Sequence, residues 1–158
     1  EGWTLEAVHT PGHTSNHVCY ALRQEQSLFS GDHVMGWSTS IVSPPDGDMR
    51  AYMASLEKLL GRDDRVFWPN HGPPIEDPQP FVRAFIAHRH EREAQILACL
   101  GDDIFDIPAM VARMYADVDK GLHPAAARSV LSHLIHMLED GRAVCDGAAG
   151  LDREYRLA

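Results

Sequence analysis

No apolar run in this chain approaches the ~18 residues that a membrane-spanning helix requires, and no basic, apolar, small-residue leader opens it. We therefore expect a soluble, cytoplasmic protein with no membrane partner. Cysteine is scarce: Cys19, Cys99 and Cys145 are widely separated and in no paired spacing, which fits reduced core thiols rather than a disulfide framework. Positive charge is scarce too. Lys and Arg number 14 against 23 Asp and Glu, a net charge of −9, so a generic coat on duplex DNA is not expected. There is no internal repeat, no low-complexity tract and no initiator methionine. Strand-forming sequence begins almost at Glu1, which leads us to expect a fragment of a longer chain.

What is present is an ordinary globular mixture, 44% apolar and 23% charged over 158 residues, enough for one domain or two small ones. Residues 3–33 read as three strands of one sheet, with a turn at Arg23-Gln24-Glu25-Gln26. A Gly, Ser, Pro and Asp-rich loop leads to Asp48, a predicted N-cap for a helix from Met49 to Leu60 that Gly61 ends. A fourth strand at 66–68, a Pro-rich loop through Pro80 and a long helix stopping near Gly101 follow. His88 to Glu93 is a charge run on that helix, read as a solvated or domain-docking face, with contact of His88, Arg89 and Arg92 to an anionic substrate as the sharper reading. Helices at 107–118 and 124–140 and short strands at 143–145 and 154–157 then spell helix, helix, hairpin, the order of a winged helix. His133 and His136, among apolar residues of the last helix, read as structural.

Three strand ends deliver side chains of ligand type. Thr10-Pro11-Gly12-His13-Thr14 presents His13 on a tight turn, Phe29-Ser30-Gly31-Asp32 presents Asp32, and Asn70-His71-Gly72-Pro73 presents His71. A hydrolytic metal site needs nitrogen and carboxylate ligands with a position left open for water, and these three supply suitable types. A carboxylate such as Asp32 can bridge two ions. His17 and His33 flank the candidates but point elsewhere along the strands, so we expect them to support the ligands rather than bind metal.

With these motifs in this order, together with Ser43-Pro44-Pro45-Asp46-Gly47 and His88-Arg89 through Arg92-Glu93, the sequence resembles the metallo-β-lactamase superfamily, in particular the β-lactamase-like hydrolases with a C-terminal winged helix. The resemblance implies an α/β fold: the C-terminal half of a metallo-β-lactamase αββα sandwich (1–79), a connecting helix (80–100) and a small winged-helix domain (101–158). It implies two zinc ions, with His13 on one, Asp32 bridging both and His71 on the second. The family's His-x-His-x-Asp-His segment occurs nowhere in this sequence, so each ion meets at most two ligands here and the fragment alone is expected to be inactive. The parent is expected to be a metal-dependent hydrolase in which metal-bound hydroxide attacks an ester, thioester or phosphodiester bond of a small-molecule or RNA substrate, as a monomer or homo-oligomer. Asn70 stands where the family more often has glycine, and asparagine tolerates a left-handed turn. The alternative is a non-catalytic winged-helix module that binds nucleic acid or protein. For that role the helix at 124–140 offers only Arg128 as a firm cation.

Overall fold

The structure is a computed structural model that describes residues 2–158. It divides into two compact units, residues 2–42 with 46–88, and residues 43–45 with 89–158.

In the first unit, β1 (Leu5–His9), β2 (Val18–Leu22), β3 (Ser27–Gly31) and β4 (Val66–Pro69) form one sheet in that order. The first three strands are antiparallel, and β4 joins β3 in parallel after the crossover helix α1 (Met49–Leu60). A parallel pair needs such a crossover, and α1 starts where expected: the Asp48 carboxylate accepts the Ala51 amide at 2.8 Å. Alternation places Cys19, Ala21, Leu28 and Phe67 on the inner face, against Tyr52, Leu56 and Leu59 of α1. The outer face carries Ala7, Tyr20, Phe29 and Trp68 in register across all four strands, and the three aromatic residues are 45–46% exposed.

The turn before β2 is docked on the start of α1. Gly12 has φ +135°, and a Cβ there would lie 2.2 Å from the Tyr52 Cα. Only glycine lets the two backbones approach so closely. Its carbonyl accepts the Asp48 amide at 2.9 Å, and Ser55 Oγ donates to the Pro11 carbonyl at 2.8 Å. At the same end of the sheet, beyond β4, the left-handed position expected at Asn70 falls instead on Gly72, at φ +91°. There the chain passes against Gly36, whose amide donates to the His71 carbonyl at 2.8 Å.

The long helix α2 (Pro78–Gly101) runs through the division between His88 and Arg89. In the second unit, α3 (Ile107–Met114), α4 (His123–Glu139) and the hairpin of β5 (Ala143–Cys145) and β6 (Tyr155–Leu157) give the expected winged helix. The Asp106–Glu154 bridge and the Tyr155 amide on the Phe105 carbonyl, at 2.8 Å, tie the hairpin to the entry of α3. Ile96, Ile107, Met110, Leu134, Met137 and Tyr155 are its fully buried core.

Two expectations are corrected here. The helix read over 107–118 stops at Met114, because Asp119 caps a separate 3₁₀ turn, Lys120–Leu122, by accepting the Gly121 amide at 2.7 Å. The charge run on α2 is solvated only in part: His90 and Glu91 are exposed, whereas Arg89 and Glu93, one turn apart, are 3% and 8% exposed. Arg128, the one Lys or Arg on α4, donates to Ser43 Oγ and to the Pro44 carbonyl, both at 2.6 Å. Among the described residues no helix is long and apolar enough to cross a membrane.

Candidate metal centre

His13, Asp32 and His71 sit at three neighbouring points of the first unit because the β1–β2 turn, the end of β3 and the end of β4 all open on one edge of the sheet. The structure brings their functional atoms together. His13 Nε2 lies 3.8 Å from Asp32 Oδ2, and His71 Nε2 lies 3.4 Å from Asp32 Oδ1. All three side chains are partly exposed, at 26%, 31% and 54% for His13, Asp32 and His71.

The hydrogen bonding of His13 constrains what it can do. Its Nδ1 lies 2.6 Å from the Ile41 carbonyl, and a carbonyl only accepts, so Nδ1 carries the ring hydrogen. In the neutral ring Nε2 is then a bare lone pair facing a carboxylate oxygen. Asp32 Oδ1 is buried and has no hydrogen-bond partner among the described residues. Two lone pairs facing each other repel unless a cation lies between them, and a ring hydrogen donated to a backbone carbonyl is the usual way a metal-ligating imidazole is held. Two ligand atoms bound to one tetrahedral ion at ordinary zinc distances are about 3.4 Å apart. The donor types, the bare nitrogen and the spacing all fit a divalent ion.

The number of donors is smaller than a complete site needs. Among the described residues there is no group of three or more His, Cys, Asp or Glu that could hold one ion together. His13 with Asp32 is one pair and His71 with Asp32 is another.

Around them stand further rings. His17 Nδ1 is 2.9 Å from Thr10 Oγ1, and its Nε2 is 3.3 Å from the Asp32 amide nitrogen. Burial, and then the neighbouring His13, lower its pKa. His33 is fully buried between His17 and Tyr52, and burial followed by the charges of His17 and His13 lowers its pKa to about 3. Tyr52 Oη and Ser40 Oγ both donate to its carbonyl, at 3.0 and 2.9 Å. Trp37, 72% exposed, lies parallel to the His71 ring with 6.3 Å between centroids. His88 is half-buried on the first unit's part of α2 and is not placed in the Asp32 group, and Arg89 belongs to the second unit. Sequence reasoning missed the contributions of Ile41 and Trp37. Each lies in an irregular loop, where neither periodicity nor a motif marks a residue.

Comparison with known proteins follows the same division. The profile of the Metallo-beta-lactamase superfamily matches residues 1–71, and that of the Beta-lactamase associated winged helix domain matches residues 107–151. A Beta-lactamase-like protein 2 homolog from Drosophila melanogaster is 37% identical over 145 residues, covering 90% of this chain and 48% of the relative. An atrochrysone carboxyl ACP thioesterase from Cryptosporiopsis sp. (strain 8999) is 30% identical, covering 98% of this chain and 52% of the relative. Among solved structures, a metallo-beta-lactamase family protein from Thermus thermophilus superposes with a TM-score of 0.83 at 23% identity, over 99% of this chain and 50% of that one. A Beta-lactamase domain protein from Burkholderia ambifaria gives 0.85 at 20% identity, over 99% and 49%. The chain thus spans about half the length of the relatives it matches.

Proposed function

The chain belongs to the metallo-beta-lactamase superfamily and carries the winged helix associated with it, and from that premise we propose that it is part of a metal-dependent hydrolase whose metal pair is held partly by His13, Asp32 and His71. The observation that carries the reading is the His13 ring, its Nδ1 tied to the Ile41 carbonyl and its Nε2 turned toward Asp32, whose Oδ1 has no hydrogen-bond partner among the described residues. In this reading His13, Asp32 and His71 would be the residues of this chain that hold the zinc ions. The chemistry such an ion would supply there is polarisation of a carbonyl or phosphoryl oxygen and a lowered pKa for a bound water.

The chain's own residues prepare that chemistry. The Ile41 carbonyl keeps His13 in one tautomer with its bare nitrogen toward Asp32. The Gly36 amide holds the His71 turn through its carbonyl. Zinc sites need three or four protein ligands, so the remaining ligands come from the part of the longer relatives that this chain does not span, and the chain alone turns over no substrate. The exposed row Tyr20, Phe29 and Trp68 supports the same view, being an apolar sheet face of the kind a second layer covers.

Two relatives of this chain, at 30% and 38% identity, are named as acyl-carrier thioesterases, so we take an acyl thioester as the bond cleaved, ahead of a phosphodiester of RNA. The test is hydrolysis by the longer protein of a short acyl thioester and of a phosphodiester, with and without chelator. Thioester cleavage that stops on chelation and returns with zinc supports the proposal. Turnover indifferent to chelator contradicts it. Nucleic-acid binding through α4 gains nothing from the structure, since Arg128 is engaged with Ser43 and Pro44.

A further inference from the structure

We propose that His17 is a positioning residue that fixes the Asp32 main chain, and through it aims the Asp32 carboxylate between His13 and His71. Four observations lead there. The Asp32 amide can only donate, so the His17 Nε2 at 3.3 Å must accept, which leaves the ring hydrogen on Nδ1 for Thr10 Oγ1 at 2.9 Å. Thr10 is fully buried, and its own hydroxyl hydrogen has the Cys19 sulfur at 3.2 Å or the Val8 carbonyl at 3.5 Å to turn to. The Thr10 amide also donates to the His17 carbonyl at 3.0 Å, so ring and main chain of His17 are clamped at the β1–β2 end of the sheet.

The third observation is room for the ring. Gly31, at φ +58°, is where any Cβ would come 2.7 Å from His17 Nε2, so the residue before Asp32 must lack one for the contact to form. The fourth is what Asp32 itself lacks. Among the described residues its Oδ1 accepts no hydrogen bond, and the two oxygens face the histidine nitrogens. With no donor orienting the carboxylate, its direction is set by the main chain, and His17 is the side chain that holds that main chain. The Asn70 amide on the Gly31 carbonyl, at 3.1 Å, joins the strand end that delivers His71 to the same clamp. The inference takes from the proposed function only that Asp32 is a ligand; the main-chain clamp stands apart from it.

The test has two arms on this chain. In the metal-free protein, nitrogen-detected NMR of the imidazole rings reads the tautomer of His17 directly, and amide exchange reads Asp32. Hydrogen on Nδ1, a bare Nε2 and an Asp32 amide that exchanges faster in His17→Phe are expected. An Nε2–H tautomer, or unchanged Asp32 exchange, overturns the proposal. In the second arm zinc affinity is measured by competition with a chromophoric chelator. His17→Phe keeps the ring's shape without its nitrogens and should lose about 10–100-fold. His17→Gln, whose carbonyl can accept the Asp32 amide, should recover part of that loss, which a merely space-filling role would not allow. Equal affinity in all three proteins overturns the proposal while leaving the metal reading intact. Should His17→Phe not fold, Gly31→Ala displaces the same ring and is expected to weaken zinc likewise. If the wild-type chain takes up no zinc, the two ligands it offers each ion are too few without the remaining ones, and the tautomer and the Asp32 amide decide the role of His17.

Discussion

Each unit of this protein holds a carboxylate between two histidines, and the two are not alike. In the second unit Glu93 is saturated: His136 Nδ1 at 3.0 Å, Arg142 Nη1 at 2.8 Å and His133 Nδ1 at 3.6 Å surround it, and Asp140 neutralises the far sides of His136 and Arg142. In the first unit Asp32 has two histidines at 3.4 and 3.8 Å and, among the described residues, no Arg or Lys in its cluster and an oxygen with nothing to accept from. A buried carboxylate with short, charge-assisted partners belongs to the framework. One flanked by two histidine nitrogens, with no such partner, is in the proposed reading a place for a cation. Both clusters set two histidines on one carboxylate, and what separates them is Arg142 with Asp140 around Glu93 and the absence of any such pair in the Asp32 cluster among the described residues.

The sharpest way to break this comparison is to neutralise each carboxylate in turn. Asp32→Asn should weaken zinc binding by roughly 100-fold or more, ~2.7 kcal/mol, and leave the second unit untouched. Glu93→Gln should do the reverse. It leaves Arg142 and the buried histidines without their partner and should cost the second unit about 3 kcal/mol, with zinc affinity unchanged. Unfolding can be followed unit by unit, because Trp3, Trp37 and Trp68 all lie in the first unit and report on it alone, while NMR signals of Tyr115 and Tyr155 report on the second.

Acid provides the next contrast. Burial alone would push the Glu93 carboxyl up, but His133 and Arg142 outweigh it and hold the group well below the usual carboxylate range. The folded state therefore binds its proton more weakly than the unfolded chain. The stability this supplies is fully present above pH ~4.5 and is lost as pH falls toward the depressed folded value. His133, whose pKa burial lowers, acts in the same direction. The NMR-monitored stability of the second unit should fall steeply below pH ~4.5 in the wild type and flatten in Glu93→Gln.

Much of the fold was legible in the sequence because its punctuation is local. Asp48 and Gly61 bracket α1, the Arg23–Gln26 turn joins β2 to β3, and helix, helix, hairpin gives the winged helix. What could not be read depends on partners far along the chain. Arg89 and Glu93 look solvated in a run of charged residues, yet Glu93 is bonded by residues 43 and 49 positions later. His13, Asp32 and His71 were marked by their turns, whereas the Ile41 carbonyl that sets the His13 tautomer lies 28 residues on, in a loop with no periodicity.

A modest further effect separates the units through metal. Zinc at about tenfold its Kd should raise first-unit stability by ~1.4 kcal/mol and leave the second unit unchanged, as thermal unfolding followed by NMR would read. The smallest is Arg128→Ala, an exposed side chain whose two hydrogen bonds should be worth about 1 kcal/mol or less to the second unit, as its thermal unfolding would read.

The central claim, that Asp32 is a ligand cluster and Glu93 a framework cluster, is tested most directly by titrating the metal-free chain with zinc while observing the nitrogen resonances of the histidine rings. The account predicts that Nε2 of His13 and Nε2 of His71 shift together as zinc is added, that Nδ1 of His13 keeps its hydrogen, and that His133 and His136 do not move. Zinc that leaves His13 and His71 unchanged, or that shifts His133 and His136 instead, would contradict it.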